Sequence, residues 1–400
     1  MLLSILDRRD RAVTKAASQL DCPIPTSLEA KEEIRRRVFD VLRIKPEWVP
    51  EVRFQFMKSK DFGSFSVDTL RFESWKGMFG DASLFMPKHA NGPVPVMLFT
   101  PGHAMALGRF KGTYQTVSRI LAEQGVAVLL FDLMGLGGRA QTGHRKHFDV
   151  FGCGTTICGL MILESIGLFN ALEKDPRFDS KRMGLIGHSG GGQNSIFLSA
   201  ALYDRVALTV CSGWACSYEY GARKARYICD CNLFPGILHQ FETWHVLGCM
   251  APKPLLICSG NGDPMIARDV VLNLKARMES IYDNSPNIEV YIWTGNHPWV
   301  DPAFRHVSNF VLRHFGMEEV SEEVPPPPPP FPECLDAELA PLPADCLDLT
   351  ALAERLTGRP RQGATKLEEV FPAPTFLTKE EFASLTPEWR DIMVRNSLFL

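Results

Sequence analysis

The sequence predicts an α/β protein in which helices cover both faces of a mostly parallel sheet. Between residues 96 and 315, short continuous apolar runs of strand length alternate with longer stretches of helical character. The chain has 400 residues, 45% of them hydrophobic and 22% charged, which is typical of a globular protein with a large core. A glycine-rich turn between one apolar run and the next helical stretch lies near the middle of this pattern.

The apolar patterns assign the individual elements. Residues 64–86 alternate apolar and polar side chains, which predicts an antiparallel hairpin at a sheet edge. Continuous apolar runs predict buried strands at 96–99, 126–131, 183–186, 206–212, 254–259 and 288–293. Helices are predicted between these strands at 112–124, 155–174, 193–202 and 267–282, and a closing helix is predicted after the last strand at 302–315.

Composition changes divide the chain into four parts. The first part is expected to be helical, with Ser27 as the N-cap of a helix over residues 28–42, and the last part carries helical patterns at 347–356 and 379–396. Six consecutive prolines, Pro325–Pro330, predict a stiff spacer. The expected parts are an N-terminal helical segment (1–60), an α/β domain (61–317) with a cap-like insert (213–249), a Pro-rich linker (318–332) and a C-terminal extension (333–400).

Charge and cysteine content narrow the choice of partner and compartment. A net charge of −3 gives no electrostatic reason to expect binding to nucleic acid or to an anionic membrane surface. No apolar stretch approaches the ~20 residues of a membrane span. The 11 cysteines are odd in number and scattered, mostly within apolar segments, which favours reduced thiols and a cytoplasmic protein.

Two patterns suggest a metal or cofactor site, and neither has the usual spacing. Cys229-x-Cys231 with His239 and His245 fits none of the common zinc patterns, so we expect packed thiols and no metal. The loop at residues 135–138 lacks the G-x-G-x-x-G spacing of a dinucleotide site. We therefore expect no cofactor.

The glycine-rich turn carries the candidate nucleophile. Gly187-His188-Ser189-Gly190-Gly191 matches G-x-S-x-G and lies between the apolar run at 183–186 and the helical stretch at 193–202. A turn this tight strains the backbone of Ser189 and exposes its hydroxyl above the sheet. The free N–H groups at the start of the following helix favour developing negative charge.

A serine nucleophile needs a base and an orienting acid, and loops beyond two strand ends supply them. Asp263 follows the strand at 254–259, and His297 follows the strand at 288–293. Asp301 is a weaker rival acid, because it is expected to cap the final helix. His188 is expected to be a packing or loop residue whose side chain points away from the serine.

The remaining candidate site residues come from neighbouring loops. The backbone N–H of Gly190 and that of His103 or Ala104 are the expected oxyanion hole. The long aromatic insert predicts a cover over the site. Expected substrate contacts are Trp214, Tyr218, Trp299 and Arg223, the last of which, with Lys224 and Arg226, could pair with a substrate carboxylate or simply form a solvated helix face.

Several motifs taken together resemble a known family. They are Gly102-His103, Asp132 with Gly135-x-Gly137-x-Arg139, Gly187-His188-Ser189-Gly190-Gly191, Ala251-Pro252-Lys253-Pro254-Leu255, Asp263 and His297. Over residues 60–316 this set resembles the α/β-hydrolase fold, and within it the acetyl xylan esterase-like and dienelactone hydrolase-like branch. The resemblance implies an eight-stranded sheet, a Ser-His-Asp triad and metal-free hydrolysis of carboxylic esters. Gly190 stands where such xylan esterases often carry Gln, which argues against a sugar-acetate substrate.

The sequence therefore predicts a serine hydrolase that cleaves a small-molecule carboxylic ester through an acyl-enzyme. An amidase or peptidase, a carbon–carbon bond hydrolase or lyase, and a non-catalytic binding module on the same fold are the open alternatives. The aromatic C-terminal extension is expected to dock on the domain or on a second subunit, which would make a homo-oligomer.

Overall fold

The computed structural model describes residues 1–88, 92–144, 148–224, 229–321 and 341–400. Within them, nine strands form one sheet in the order β1-β2-β3-β5-β4-β6-β7-β8-β9. The strands are β1 (Arg53–Asp61), β2 (Phe65–Glu73), β3 (Phe79–Pro87), β4 (Val94–Thr100), β5 (Ala127–Phe131), β6 (Phe178–His188), β7 (Leu208–Ser212), β8 (Leu255–Gly260) and β9 (Ile288–Trp293). Strands β4 to β9 are mutually parallel where they pair, and β1, β2 and β3 form an antiparallel edge that joins the sheet through β5.

Helices lie before, between and after these strands. The α-helices of the described residues are α1 (Leu2–Ser18), α2 (Leu28–Leu42), α3 (Gly112–Glu123), α4 (Asp149–Gly152), α5 (Ile157–Lys174), α6 (Gly190–Ala201), α7 (Tyr218–Ala222), α8 (Thr243–Gly248), α9 (Arg268–Ile281), α10 (Ala303–His314), α11 (Leu349–Thr357), α12 (Lys379–Ser384) and α13 (Pro387–Ser397). Short 3-10 turns occur at Pro46–Trp48, Gly108–Phe110, Gly137–Thr142, Asp230–Asn232, Ile237–His239 and Leu367–Glu369. None of the helices in the described part of the chain is long and apolar enough to cross a lipid bilayer.

The core has two layers, one on each face of the sheet. Helices α3 and α10 bury apolar side chains against one face. Helices α2, α5, α6 and α9 cover the other face together with the insert that follows β7. Burial on both faces explains why the central strands read as continuous apolar runs, as in β4, where all seven residues are buried. The predicted α/β architecture with a mostly parallel sheet is confirmed.

The sheet has one strand more than the sequence predicted. Strand β1 lies in the segment expected to be helical throughout, and it pairs with β2 at the outer edge. Most of its residues are exposed, including Phe56 at 60%. The alternation of Val52, Phe54 and Phe56 with polar residues is short, and the strand is polar after Met57, so the apolar period that identifies a strand is weak here.

The C-terminal extension packs against the insert of the same chain. The Gly236 N–H donates to the Leu398 carbonyl at 2.6 Å, and the Leu238 N–H donates to that of Phe399 at 3.1 Å. The helical pattern at 379–396 is divided into α12 and α13, because Pro387 starts a new helix capped by the Thr386 side chain. Most of the predicted Pro-rich linker lies outside the described residues.

Candidate active site

Ser189 occupies a sharp turn between β6 and α6. Its backbone has φ +59° and ψ −123°, a conformation that is strained for any residue with a Cβ. The glycines of the motif are sterically required, because a Cβ on Gly187 would lie 2.1 Å from the Gly191 carbonyl oxygen. A Cβ on Gly191 would lie 1.8 Å from the carbonyl oxygen of Thr100. The turn therefore depends on close backbone packing between the ends of β4 and β6.

Asp263 and His297 meet in the loops that follow β8 and β9. The His297 Nδ1 atom lies 2.7 Å from Asp263 Oδ2, and the second carboxylate oxygen accepts the Met265 N–H at 2.7 Å. The aspartate side chain is fully buried, whereas that of His297 is 19% exposed. Since a carboxylate can only accept, the proton of the neutral imidazole lies on Nδ1 and Nε2 keeps its lone pair.

The rival carboxylate, Asp301, takes part in a different interaction. Its two oxygens accept hydrogen bonds from the Arg305 side chain at 2.8 and 3.0 Å. The expectation that Asp301 caps the final helix is wrong, because Pro302 occupies the N-cap position of α10. Of the two candidate carboxylates, Asp263 is the one that forms a hydrogen bond with His297.

Ser189 and His297 line the same cavity, whose volume is about 270 Å³. Among the hydrogen bonds of the described residues, none joins the Ser189 hydroxyl to the imidazole. Contacts between a nucleophile and its base are often long in ligand-free structures and tighten when substrate binds. The three candidate residues thus lie together at the carboxyl edge of the sheet. His297 is hydrogen-bonded to Asp263, whereas it forms no hydrogen bond with the Ser189 hydroxyl in the described structure.

His188 packs beside His297. Its ring centroid lies 5.1 Å from that of His297 and 4.7 Å from that of Trp299. The Trp299 indole N–H donates to Ser212 Oγ at 2.6 Å, so the serine proton is available to His188 Nδ1 at 3.0 Å. Burial, reinforced by the neighbouring His297, lowers the pKa of His188 well below its usual range. A neutral His188 lets His297 take up a proton without a second positive charge beside it.

Trp299, a predicted substrate contact, is part of this supporting layer. The residue is 2% exposed and does not line the cavity. Its role in the structure is to hold Ser212 and pack on His188.

The oxyanion-hole candidates lie next to each other. Ala104 donates its backbone N–H to the Gly102 carbonyl at 2.7 Å, so this amide is already engaged. The His103 backbone N–H has no hydrogen-bond partner among the described residues. The His103 ring sits close to Gly190, since a Cβ there would lie 2.6 Å from His103 Cε1. The geometry favours the amides of His103 and Gly190 as the donor pair.

The insert and the C-terminus form the other wall of the cavity. Trp214 and Tyr218 line it, as does Phe399 from the end of the chain. Arg223, a predicted substrate contact, instead pairs with Glu219 and hydrogen-bonds Thr14, and it does not line the cavity. Its neighbours in the predicted basic cluster differ: Lys224 lines the cavity, and Arg226 lies outside the described residues.

A cluster of imidazole and thiol groups borders the serine. His103, His144, Cys229 and Cys231 bring one nitrogen or sulfur atom each within 4.8 Å of one another. The two histidines that the sequence placed beside the cysteine pair are elsewhere: His239 is not in this group, and His245 Nδ1 accepts the Glu242 N–H at 3.0 Å. Sequence reasoning missed His103 and His144 as partners of the cysteines, because 84 or more residues separate them along the chain.

The strand order, the strained serine turn and the hydrogen-bonded Asp263–His297 pair beyond β8 and β9 are those of the α/β-hydrolase fold. Methylesterase BT1017 has the same fold, with a TM-score of 0.62 at 18% identity over 79% of this chain and 71% of that one. A putative acetyl xylan esterase (BF1801) from Bacteroides fragilis NCTC 9343 matches with a TM-score of 0.54 at 15% identity, over 66% of this chain and 74% of that one.

A comparison of sequences matches a curated protein as well. The chain is 23% identical over 298 residues to "Putative hydrolase YtaP" of Bacillus subtilis (strain 168), which covers 71% of this chain and 96% of the relative. No protein-family model matches the chain. The predicted resemblance to α/β-hydrolases is confirmed at the level of the fold.

Proposed function

We propose that the protein is a serine hydrolase that cleaves a carboxylic ester of a small molecule. The observation that carries the proposal is the joint placement of Ser189, His297 and Asp263. The serine occupies a strained turn at a cavity wall, and the histidine beside that cavity is already oriented by a buried carboxylate.

The mechanism follows from the chemistry of these groups. His297 Nε2 accepts the Ser189 proton as the hydroxyl attacks the ester carbonyl, and Asp263 stabilises the imidazolium that forms. The amides of Gly190 and His103 donate to the tetrahedral oxyanion. His297 then protonates the leaving alcohol, and a water activated by the same imidazole releases the acid from the acyl-enzyme.

The similar proteins support ester hydrolysis over the alternatives. The two structural neighbours are named as a methylesterase and an acetyl xylan esterase, and the sequence relative is named as a hydrolase. A cavity of about 270 Å³ with aromatic walls suits a small acyl or alcohol group. An amidase remains the second candidate reaction, and matched ester and anilide substrates distinguish the two.

Turnover of p-nitrophenyl acetate tests the proposal. Ser189→Ala should abolish activity above background, whereas Ser280→Ala, on the exposed face of α9, should retain it. Equal activity in the wild type and in Ser189→Ala would assign the reaction to another group. Lack of activity of the wild type on every ester and amide of a substrate panel would favour a binding module.

We also propose that the protein is located in the reducing cytoplasm. In addition, we propose that it forms a homo-oligomer. None of the ten cysteines in the described part of the chain forms a disulfide, which supports a reducing location. Fractionation of the source cells tests location, and light scattering of the purified full chain tests assembly.

A further inference from the structure

We propose that His103, His144, Cys229 and Cys231 form a binding site for one Zn²⁺ ion beside the catalytic serine. Their ligand atoms all lie within 4.8 Å of one another. His103 Nε2 is 3.0 Å from His144 Nε2 and 3.1 Å from Cys231 Sγ. A tetrahedral zinc ion with its usual bond lengths spaces its ligand atoms about 3.3–3.8 Å apart, so small side-chain shifts complete the coordination.

His144 is oriented as a metal ligand. Its Nδ1 atom lies 2.8 Å from the Met134 carbonyl oxygen, which can only accept. The Nδ1 atom must therefore carry the proton, and the lone pair of Nε2 points at His103 and the cysteines. A backbone carbonyl that fixes the far nitrogen is the usual arrangement around histidine ligands of zinc.

The cysteine pair is held in place by the C-terminal helix. Asp230, between the two cysteines, forms an ion pair with Arg395 of α13 at 2.5 Å, and both side chains are buried. His144 and Cys231 are themselves each 3% exposed. Two of the four ligand residues are thus buried, whereas His103 and Cys229 are partly exposed toward the cavity, and the site draws on three loops and on a buried contact from the end of the chain.

The donor set selects the ion and its role. Two sulfur and two imidazole ligands in tetrahedral reach are the preferred set for Zn²⁺. Four protein ligands leave no open position for water or substrate, which is the pattern of a structural site. The ion would join the loop after β4 to the loop after β5 and to the insert, and so fix the backbone of His103.

Metal content and cobalt spectroscopy test the site without any assay of turnover. Full-length protein purified under reducing conditions from zinc-supplemented cells should contain one zinc per chain by elemental analysis. Metal-free wild-type protein titrated with Co²⁺ should develop thiolate-to-cobalt charge-transfer bands and the intense visible bands of tetrahedral coordination, saturating at one equivalent. Cys231→Ser and His144→Gln should lose stoichiometric binding.

Cys22→Ser is the matched control, because Cys22 lies outside the cluster and should leave both signals unchanged. Wild-type protein that retains no zinc and gives no thiolate–cobalt bands would overturn the proposal, and this outcome does not depend on whether the variants fold. Equal cobalt spectra for the wild type and for a folded Cys231→Ser variant would also overturn it.

The effect on turnover rests on the proposed function and is a separate measurement. Removal of zinc should lower kcat for an ester substrate more than it raises KM, since it loosens an oxyanion donor rather than the substrate wall. Zinc binding by a chain that hydrolyses nothing would refute the hydrolase and leave the metal site intact.

Discussion

Replacement of Asp263 by Asn tests the acid's role with almost no change in shape. In the wild type, one carboxylate oxygen accepts the Met265 N–H and the other faces His297 Nδ1, both at 2.7 Å. An asparagine has one acceptor oxygen, and Met265 is the fixed donor, so the amide NH₂ turns toward His297. The imidazole must then accept at Nδ1 and carry its proton on Nε2, where it can no longer act as a base toward Ser189.

The expected loss follows from this change of tautomer. A triad with the wrong tautomer loses about 10⁴-fold in kcat, which corresponds to about 5.4 kcal/mol of transition-state stabilisation. KM should change little, because Asp263 is buried beneath His297 and does not line the cavity. Initial rates with p-nitrophenyl acetate over a range of concentrations measure both constants.

Asp301→Asn is the control, since this carboxylate pairs with Arg305 and not with the base. The kcat of this variant should lie within about 2-fold of the wild-type value, because the ion pair that it breaks is partly exposed and lies outside the site. A kcat for Asp263→Asn within 10-fold of the wild type would refute the assignment of the acid. A large loss of kcat in Asp301→Asn with little loss of kcat in Asp263→Asn would assign the role of the orienting acid to Asp301.

Three further predictions concern stability and are measured by chemical unfolding. Gly191→Ala places a Cβ against the Thr100 carbonyl and should cost about 3 kcal/mol. Arg109→Met leaves Asp132, its fully buried partner, without a counter-charge and should cost about 3–5 kcal/mol. Burial lowers the pKa of His245 to about 4 from 6.5, so the stability that this residue contributes is present above pH 6.5 and is lost as the pH falls toward 4. The difference in unfolding free energy between the wild type and His245→Asn should therefore shrink by about 3 kcal/mol from pH 7 to pH 4.

Each of these predictions has a comparison that can contradict it. In Gly221→Ala the new Cβ would contact only the Phe399 ring, at 3.5 Å, so this variant should be tolerated. An equal loss of unfolding free energy in Gly221→Ala and Gly191→Ala would contradict the steric argument. Arg177→Met breaks an ion pair whose arginine is 50% exposed and should cost less than about 1 kcal/mol. A pH-independent difference between the wild type and His245→Asn would show that the imidazole is not held neutral by folding.

The sequence predicts those parts of the site that depend on local order along the chain. A serine turn between a strand and a helix has a motif of its own, and the acid and base follow recognisable buried strands. Asp263 and His297 could be proposed because parallel strands bring their carboxyl ends to one edge. The same logic applies to most helices and strands, whose apolar periods are set by burial on one or two faces.

Features that depend on contacts between distant segments could not be predicted in this way. The aromatic residues of the C-terminal extension predict that it docks, but no local pattern indicates that it packs on the insert and brings Phe399 to the cavity. His188 supports the base because Ser212 and Trp299 surround it, although its position in the chain suggested only packing. A metal site at Cys229 and Cys231 was assessed only with the histidines nearby in the sequence. The histidines that lie close to the two cysteines, His103 and His144, come from the loops after β4 and β5.

Covalent labelling with a fluorophosphonate probe tests the central claim most directly, because only an activated serine reacts quickly. We expect rapid, stoichiometric labelling of the wild type, mapped by peptide mass spectrometry to Ser189, and a large loss of the labelling rate in His297→Ala. Slow labelling of the wild type, or rapid labelling mapped to a different serine, would contradict the account.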